Sequence, residues 1–323
     1  METFTGVAKL FFVLPITFLE WIKVHNKTSI PSHRAFFTSL VRVICDANND
    51  TITKFGINPL AKSICRIVSK IYGFSKYNDI GYWVRSPRKS VESGTRSKLL
   101  LYIHGGGFVI GLLPKMFIEL KSLAATLDDE VAVLVLDYPV MENCSKITEF
   151  VWTEYCKLAK EFTEIDLIGD SCGGNLVFNI LTRCHESNVT LPQHAIAISP
   201  WCDVLDLTSI KLQPVNVDLL SAKSLTHFQL SYTRGVADPN NYRQFLELKS
   251  VPKEIWTEIL TQTKIYVSYG ELELFRYQIE EFVDHIGCNS NLILEKIPNG
   301  FHIQPLVILN PQMLEKWSKF LSQ

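Results

Sequence analysis

Residues Gly169–Gly173 constrain the fold of this chain more than any other stretch, because they form a Gly-x-Ser-x-Gly sequence in an informative setting. An apolar run over residues 165–168 precedes them, and apolar residues at helical spacing follow from Leu176 to Cys184. This order is typical of a tight strand-to-helix turn that holds a serine clear of a sheet. The flanking glycines leave room for a strained backbone, and the helix N-terminus adds a positive dipole. The pattern predicts that Ser171 is a nucleophile.

A second motif, His104–Phe108, reads His-Gly-Gly-Gly-Phe and follows the apolar run of residues 99–103. Three successive glycines let backbone N–H groups converge on one point. Acyl transfer needs such donors for its anionic tetrahedral intermediate, and losing one donor costs roughly 10²–10³ in rate. A glycine-rich turn or a phosphate-binding loop is the alternative, but the motif lacks the Gly-Lys-Ser/Thr ending of such a loop. We therefore predict an oxyanion hole made by the N–H groups of Gly105, Gly106, Gly107 and Cys172.

The nucleophile needs a general base, and His302 has the position that such a base requires. It follows a strand-like run over residues 292–297 and a turn over residues 298–301. Open α/β sheets place their chemistry in loops at the C-terminal ends of strands. His104 belongs to the glycine loop, where we expect its ring to support the loop rather than to take a proton. The other six histidines lie in the N-terminal segment, on predicted helix surfaces, before a strand or in a middle insertion.

The strand-like run over residues 265–269 leads into a loop with Glu271 and Glu273, and either carboxylate could orient the imidazole. Both lie before His302, which gives the order serine, acid, histidine expected of a hydrolase built on an open α/β sheet. We favour Glu273, because it lies just before the first turn of the following helical pattern. The other glutamate is then expected to cap a helix or to face solvent.

Short apolar strands alternate with helical patterns over most of the chain, starting near residue 80. Such alternation predicts an α/β fold with a mostly parallel, twisted sheet and helices on both faces. Two segments fall outside the pattern, residues 1–77 and an insertion at about residues 204–260. We predict that residues 78–323 form the catalytic domain. The N-terminal segment and the insertion are expected to form a mainly helical cap over its catalytic face.

A known family shares these motifs. The glycine loop, the Gly-Asp-Ser-Cys-Gly-Gly-Asn sequence around Ser171, the Glu273 loop and His302 resemble the hormone-sensitive-lipase-like branch of the α/β-hydrolases. Residues 269–276 are most similar to fungal steryl acetyl hydrolases and related acetyl esterases. The resemblance covers roughly residues 80–323 and implies the α/β-hydrolase fold. It also implies an esterase that acts on short-acyl esters of a hydrophobic alcohol, such as an acetylated sterol.

Residues 199–203, Ser-Pro-Trp-Cys-Asp, are also similar to that branch, whereas two other positions depart from it. Many relatives have Asp-Tyr-Arg-Leu-Ala-Pro-Glu where residues 137–142 read Asp-Tyr-Pro-Val-Met-Glu. A glutamate also replaces the aspartate that is usual in the triad. Because of the first departure, the substrates of the better-known bacterial members are a weak guide to the substrate of this chain. The second keeps a carboxylate at the same place.

Composition restricts the partners of this chain. Its net charge is −1, from 32 Lys and Arg against 33 Asp and Glu, and it has no basic stripe. Nucleic acid is therefore not an expected partner. The eight cysteines form no C-x-x-C pair and no cluster with histidine, so we expect buried thiols and no bound metal. No organic cofactor is implied, a hydrophobic ester is the expected substrate, and the sequence predicts no oligomeric state.

The N-terminal segment contains an uncharged apolar run, residues 10–19, followed by Glu20. Ten residues are too few to span a bilayer, which takes about 20. Little positive charge precedes the run, and no small-residue cleavage site follows it. Three interpretations remain: a cap helix packed on the core, a helix that associates with one membrane leaflet through residues 5–22, and a tilted signal anchor. The resemblance favours the endoplasmic reticulum membrane, with a cytoplasmic location as the alternative.

The sequence thus predicts a serine carboxylesterase that uses Ser171, His302 and Glu273 and forms an acyl-enzyme. Two alternatives stay open. A lipase of longer acyl chains could use the same triad, and a receptor could hold a hydrophobic ligand beneath the cap without catalysis.

Overall fold

The computed structural model describes residues 18–19, 32–47, 50–88, 96–212, 218–308 and 310–323. Within these residues, eight strands form one sheet. The strands are β1 (Ser75–Lys76), β2 (Gly81–Arg85), β3 (Arg96–Ile103), β4 (Val131–Leu136), β5 (Phe162–Asp170), β6 (His194–Ile198), β7 (Lys264–Gly270) and β8 (Leu292–Ile297).

The order of the strands across the sheet is β1-β2-β4-β3-β5-β6-β7-β8. Strand β2 is antiparallel to both of its neighbours, and every other pair is parallel. In register, Ile103 at the end of β3 pairs with Gly169, and Ile198 at the end of β6 pairs with Asp170. The loops after β3, β5 and β6 therefore meet at one edge of the sheet, where such folds place their chemistry.

Within the described residues, nine helices of seven residues or more surround the sheet. They are α1 (Ser32–Ala47), α2 (Asn58–Tyr72), α3 (Pro114–Ala124), α4 (Cys144–Glu161), α5 (Cys172–Ser187), α6 (Ala222–Thr233), α7 (Lys253–Ile259), α8 (Arg276–Ile286) and α9 (Pro311–Leu321). Shorter helical turns cover Asp50–Ile52, Thr53–Ile57, Ser209–Leu212, Pro239–Tyr242, Arg243–Leu246, Leu248–Ser250 and Gln304–Val307. Asn143 and Ser221 begin α4 and α6, because each side chain accepts a backbone N–H of the first turn.

The central strands are apolar on both faces because helices cover both. In β3, Leu99, Leu101 and Ile103 pack with residues of α4, α5 and α8, whereas Leu100 and Tyr102 pack with α3 and α9. All five side chains are fully buried, and burial of an aliphatic side chain contributes about 1.5–3 kcal/mol. Strand β3 is thus held between two apolar layers. The prediction of a mostly parallel sheet with helices on both faces is confirmed.

The two segments outside the alternating pattern contact each other. Helices α1 and α2 belong to the first segment, and α6 and α7 belong to the insertion. The Lys223 ammonium donates to the Asp46 carbonyl oxygen at 2.6 Å, and the Ser221 hydroxyl donates to the Asp46 carboxylate. The end of α1 thus lies against the start of α6. The division into residues 1–77, a domain of residues 78–323 and an insertion at 204–260 stays a prediction.

The apolar run of residues 10–19 lies outside the described residues, apart from Phe18 and Leu19. The three interpretations of residues 5–22 therefore stay predictions. In the part of the chain that the structure describes, no helix combines the length and the hydropathy that crossing a bilayer requires.

Candidate active site

Ser171 lies on the turn between β5 and α5, in the strained backbone conformation expected from its sequence. Its φ and ψ are 55° and −122°, values that few non-glycine residues adopt. A Cβ added to Gly173 would lie 2.1 Å from the Ile103 carbonyl oxygen, and one added to Gly169 would lie 2.6 Å from the Gly173 carbonyl oxygen. Only glycine permits these close approaches of backbone to backbone. The turn therefore stays tight and holds Ser171 at the N-terminus of α5.

His302 lies in the loop after β8, next to Ser171. Its Nε2 is 2.9 Å from the Ser171 Oγ, which is a hydrogen-bond distance. Both side chains are buried, and the Phe275 ring packs edge-on against the imidazole with the ring centroids 5.0 Å apart. The structure thus brings the predicted nucleophile and the predicted base together, although they are 131 residues apart in the chain.

Glu273, in the loop after β7, points toward the other nitrogen of His302. Its Oε1 is 3.8 Å from the His302 Nδ1, which is roughly 1 Å longer than an N–H···O hydrogen bond. Its Oε2 accepts the Ser199 hydroxyl at 2.6 Å and the Gly270 N–H at 2.7 Å. Among the described residues, neither the Oε1 nor the Nδ1 has a hydrogen-bond partner. These two atoms are therefore free to bond to each other.

Glu271 occupies a different position in the same loop. Its Oε2 accepts the N–H of Asn299 at 2.9 Å in an exposed environment. That bond stabilises the turn that precedes His302. Of the two glutamates that the sequence left open, Glu273 is the one that the structure places beside the imidazole.

Burial and charge act in opposite directions on this pair. Burial disfavours the charged form of His302, but the facing Glu273 carboxylate outweighs it, with Asp218 and Asp170 acting in the same direction as Glu273. The pKa of His302 is consequently raised above its ordinary value. Burial also raises the pKa of Glu273, against the lowering effects of His302 and Ser199. An imidazole is neutral, and can accept a proton, only at a pH above its pKa. Where it is neutral, a higher pKa makes it a stronger acceptor for the serine proton.

The glycine loop after β3 lines the same cavity as Ser171. Gly106, Gly107 and Phe108 have positive φ values of 113°, 62° and 62°. A Cβ on Gly107 would lie 2.3 Å from the Phe228 ring, and one on Gly106 would lie 2.2 Å from the Ile110 carbonyl oxygen. Conformation and space thus both require glycine at these two positions.

The N–H of Gly105 has a different acceptor from the one predicted. It donates to the Asp170 Oδ1 at 2.9 Å, which holds the loop against the residue before Ser171. In this structure the Gly105 N–H is thus taken by Asp170, and its expected role in an oxyanion hole stays a prediction. Gly106 and Gly107 remain as candidate donors, together with Cys172, whose N–H is the first of α5 and has no acceptor within the helix.

The side chain of Cys172 supports the glycine loop. Its Sγ accepts the N–H of Phe108 at 3.2 Å and lies 3.6 Å from the Tyr138 hydroxyl. That hydroxyl donates to the His104 carbonyl oxygen at 2.8 Å, and the two rings stack with centroids 4.2 Å apart. Burial raises the pKa of the Cys172 thiol to about 12, so the sulfur stays neutral. The loop thus rests on Cys172, Tyr138 and its own histidine.

Asp218 is a functional candidate that the sequence analysis missed. It lies at the boundary of the described part of the insertion, is 1% exposed, and accepts three backbone N–H groups at 2.8 Å. The donors are Leu219, Leu274 and His302. This carboxylate therefore joins the insertion to the loops that carry the candidate acid and base. No motif marks it, because an aspartate in an irregular segment is usually solvated.

An apolar cavity of about 110 Å³ lies beside Ser171 and His302. Its walls include side chains from α1, from the loop before α3 and from the insertion. They include Val41, Cys45, Leu113, Leu219, Leu225 and Phe228. Residues of both segments outside the alternating pattern therefore line the space in front of Ser171.

The sequence of the chain matches a known family. A family model described as steryl acetyl hydrolase matches residues 77–323. Steryl acetyl hydrolase 1 of Saccharomyces cerevisiae is 26% identical over 262 residues, which cover 71% of this chain and 58% of that protein. The matched part thus spans less than two thirds of the length of this relative.

Solved structures are similar to the chain in fold. An esterase of Pyrobaculum calidifontis has a TM-score of 0.64 at 14% identity, covering 86% of this chain and 92% of that one. A fungal esterase from Rhizomucor miehei has a TM-score of 0.62 at 16% identity, covering 85% and 90%. These similarities confirm the α/β-hydrolase fold. Because the family model extends over most of the residues, the chain belongs to the steryl acetyl hydrolase family.

Proposed function

We propose that this protein is a serine carboxylesterase with Ser171 as nucleophile, His302 as general base and Glu273 as the orienting acid. The observation that carries the proposal is the 2.9 Å contact between the Ser171 Oγ and the His302 Nε2 beside an apolar cavity. Glu273 supports it from the other side of the imidazole, because its Oε1 faces the Nδ1. The family of the chain supports ester hydrolysis as the reaction.

In the first half of the reaction, the His302 Nε2 takes the Ser171 proton as the Oγ attacks the ester carbonyl carbon. The carbonyl oxygen becomes an oxyanion, which accepts hydrogen bonds from the N–H groups of Gly106, Gly107 and Cys172. The N-terminal dipole of α5 stabilises the same negative charge. The intermediate collapses when His302 gives its proton to the leaving alcohol oxygen, and an acyl-serine remains.

In the second half, a water molecule gives a proton to the His302 Nε2 and attacks the acyl carbonyl carbon. A second oxyanion forms in the same place. His302 then returns the proton to the Ser171 Oγ as the C–O bond of the acyl-serine breaks. The carboxylic acid leaves, and both side chains are restored.

Glu273 acts on these steps through His302. A movement of roughly 1 Å would bring its Oε1 within hydrogen-bond distance of the Nδ1–H, and such bonds often tighten only when substrate binds. The bond leaves the Nε2 free to accept a proton and stabilises the imidazolium that results. Ser199 and the Gly270 N–H hold the other carboxylate oxygen, so Glu273 has little freedom to turn away.

We infer that the substrate has a short acyl group and a hydrophobic alcohol. The cavity of about 110 Å³ is small beside the roughly 300–1,000 Å³ of pockets for drug-sized ligands, which favours an acetyl group. The apolar walls favour a lipophilic alcohol. The name of the Saccharomyces cerevisiae relative makes an acetylated sterol the first substrate of this class to test.

Hydrolysis of p-nitrophenyl esters from acetate to laurate tests the proposal. We expect the highest kcat/KM on acetate and a fall with acyl length. Ser171→Ala should lower kcat by about 10⁴-fold or more, as loss of a catalytic serine does in other hydrolases. Ser122→Ala, in which the lost hydroxyl lies exposed on α3, is the matched control and should keep wild-type activity.

The same assay distinguishes the alternatives. Activity that rises toward laurate, and rises further on emulsified esters, would identify a lipase of longer acyl chains. A folded protein that hydrolyses no ester would favour a receptor that binds a hydrophobic ligand in the cavity. Wild-type activity in Ser171→Ala would exclude Ser171 as the nucleophile.

A further inference from the structure

Helix α2 presents a row of large apolar residues to solvent. Leu60, Ile64, Ile67 and Ile71 recur at spacings of four, three and four residues, which places them on one face of a helix. Their exposed fractions are 62%, 39%, 58% and 73%. A single exposed apolar residue needs no explanation, but a contiguous row of four indicates an interaction site.

A different face of α2 packs on the protein, and its residues are small. Ala61, Cys65 and Ser69 are the buried residues of the helix. The Cys65 thiol donates to the Leu112 carbonyl oxygen at 3.3 Å. A helix that served only to stabilise its own domain would turn its large apolar residues inward. Packing within the domain therefore does not account for the apolar row.

A third row on α2 is basic. Lys62, Arg66 and Lys70 recur every four residues, and the helix has no acidic residue. The nearby Asp79 forms a salt bridge with Lys76 at 2.9 Å. Within the described residues, no salt bridge involves a cation of the basic row. Lys76, Lys62 and Arg66 all lower the pKa of the Asp79 carboxyl, so this one carboxylate offsets part of the charge. Three cations near one carboxylate that is already bonded to Lys76 leave the row positive toward an external anion.

The start of α2 is bound to a segment that lines the cavity. Asn58 accepts the N–H of Gly111 at 3.0 Å and donates to the Val109 carbonyl oxygen at 3.0 Å. Leu113, in the same segment, lines the cavity and is 41% exposed. A surface that bound α2 would therefore lie near one wall of the cavity.

We propose that α2 is an interfacial helix that docks this protein on a lipid bilayer with anionic headgroups. The apolar row enters the boundary between headgroups and acyl chains, and the basic row contacts the headgroup anions. Helices that lie in this boundary combine such an apolar face with Lys and Arg on the polar face. The charges favour an anionic bilayer over a second copy of the chain, whose α2 would bring like charges together. Under the proposed function, docking brings a lipophilic ester close to the cavity.

A fluorescent label on the apolar row tests the docking directly. The full chain carries Cys288→Ser, which removes the exposed thiol, and Ile67→Cys, which is labelled with an NBD maleimide. On vesicles of phosphatidylcholine with about 30% phosphatidylserine, we expect a blue shift and a rise in emission of about twofold or more. Spin-labelled lipid in the vesicles should quench this emission.

The matched control has the same label at Ile293, which is 41% exposed on β8. Strand β8, which carries the control label, and strand β1, which follows α2 in the chain, form opposite edges of the sheet. The label at position 293 should stay in water. Equal responses at the two positions, or no response at position 67, would overturn the proposal. A label at position 67 that is blue-shifted before lipid is added would also overturn it, since another segment or a second copy would then cover the row.

Binding to anionic vesicles after removal of the three positive charges of α2 is a second test of the docking. The combined substitutions Lys62→Gln, Arg66→Gln and Lys70→Gln should weaken binding to the anionic vesicles about tenfold or more. Unchanged binding would contradict a role for the basic row.

Ile67→Gln should leave hydrolysis of soluble p-nitrophenyl acetate unchanged and slow hydrolysis of a sterol acetate held in vesicles. If the label at position 67 enters the bilayer but no ester is hydrolysed, the proposed function fails and the docking surface stands.

Discussion

Ser171 and His302 lie within hydrogen-bond distance, and the residues around them determine which of the two holds the proton. The serine keeps a backbone conformation that costs about 1–3 kcal/mol and that its glycine neighbours make room for. Burial alone would disfavour a charged imidazole, but the Glu273 carboxylate reverses the direction. Under the proposed function only the neutral imidazole accepts the serine proton, so the raised pKa of His302 is expected to move the onset of activity to higher pH.

Glu273 is expected to determine the pH at which activity begins, through its effect on the pKa of His302. In the wild type, kcat/KM should fall as the pH drops through a value above about 6.5, the ordinary pKa of histidine. Burial lowers the pKa of His302, and the Glu273 carboxylate outweighs it, so Glu273→Gln should move this acid limb to lower pH. We also expect kcat to fall about 10²–10⁴-fold, because the amide does not stabilise the imidazolium. A pH–rate profile with p-nitrophenyl acetate measures both effects.

Glu271→Gln is the matched control for that profile. Its carboxylate accepts the Asn299 N–H at the surface of the loop. The variant should keep the wild-type acid limb and lose less than about threefold in kcat, as expected of a residue outside the reacting groups. A larger loss in Glu271→Gln than in Glu273→Gln would mean that the acid has been assigned to the wrong glutamate.

At the scale of elements, the close approach of α5 to the end of β3 positions the site. Gly173, in the first turn of α5, leaves no room for a side chain beside the backbone of Ile103 and His104. Ser171 at the start of α5 and the glycine loop at the end of β3 are consequently held side by side. The hydrogen bond from the Phe108 N–H to the Cys172 Sγ joins the same two elements.

Gly173→Ala tests this contact. The added methyl carbon would lie 2.1 Å from the Ile103 carbonyl oxygen and 2.6 Å from that of His104. Because both neighbours are backbone atoms, we expect the free energy of unfolding to fall by about 3 kcal/mol or more, at or above the usual cost of overpacking. Urea denaturation followed by circular dichroism measures this change.

The control for this substitution is Gly56→Ala, where nothing lies within 4 Å of the added carbon. Its free energy of unfolding should change by less than about 1 kcal/mol. If Gly173→Ala were as stable as Gly56→Ala, the close approach of α5 to β3 would not be a constraint on the fold.

Asp218 connects parts of the molecule that are far apart in the chain, the insertion and the loops after β7 and β8. Its carboxylate receives the N–H groups of Leu274 and His302 from two loops that follow different strands. The segment that lines the cavity and the loops that hold the candidate acid and base are therefore joined by one buried charge. A displacement of the insertion would disturb His302 through this bond.

Asp218→Asn tests the connection. The amide leaves at least one of three buried N–H groups without an acceptor, at a cost of about 1–3 kcal/mol, and kcat should fall about 10- to 100-fold. The acid limb of kcat/KM should also move to lower pH, because the Asp218 charge contributes to the raised pKa of His302. A structural role alone would lower activity without moving the limb.

Asp166→Asn is the matched control, since Asp166 is equally buried but binds His194 and Lys98 away from the site. It should lower the melting temperature and leave the acid limb in place. A limb that moves equally in both variants, or in neither, would contradict the role of Asp218.

The local units of this protein follow from neighbouring residues in the amino-acid sequence. A serine between glycines, after an apolar strand and before a helical pattern, predicts the turn at Ser171, because the residues that require it are neighbours in the chain. The alternation of apolar strands and helices predicts the layers of the fold for the same reason. His302 could be selected because it alone combines a strand end with a following loop in the expected chain order.

Which side chains and backbone groups contact each other depends on how the elements pack in three dimensions. Glu271 and Glu273 are two residues apart, and the packing of their loop against the loop after β8 selects the one that faces His302. The Gly105 N–H was assigned to an oxyanion from its motif, but its acceptor, Asp170, lies 65 residues away. Asp218 carries no motif, and the His302 N–H that it binds is 84 residues distant. Contacts of this kind depend on the register and spacing of the strands, which local sequence patterns do not specify.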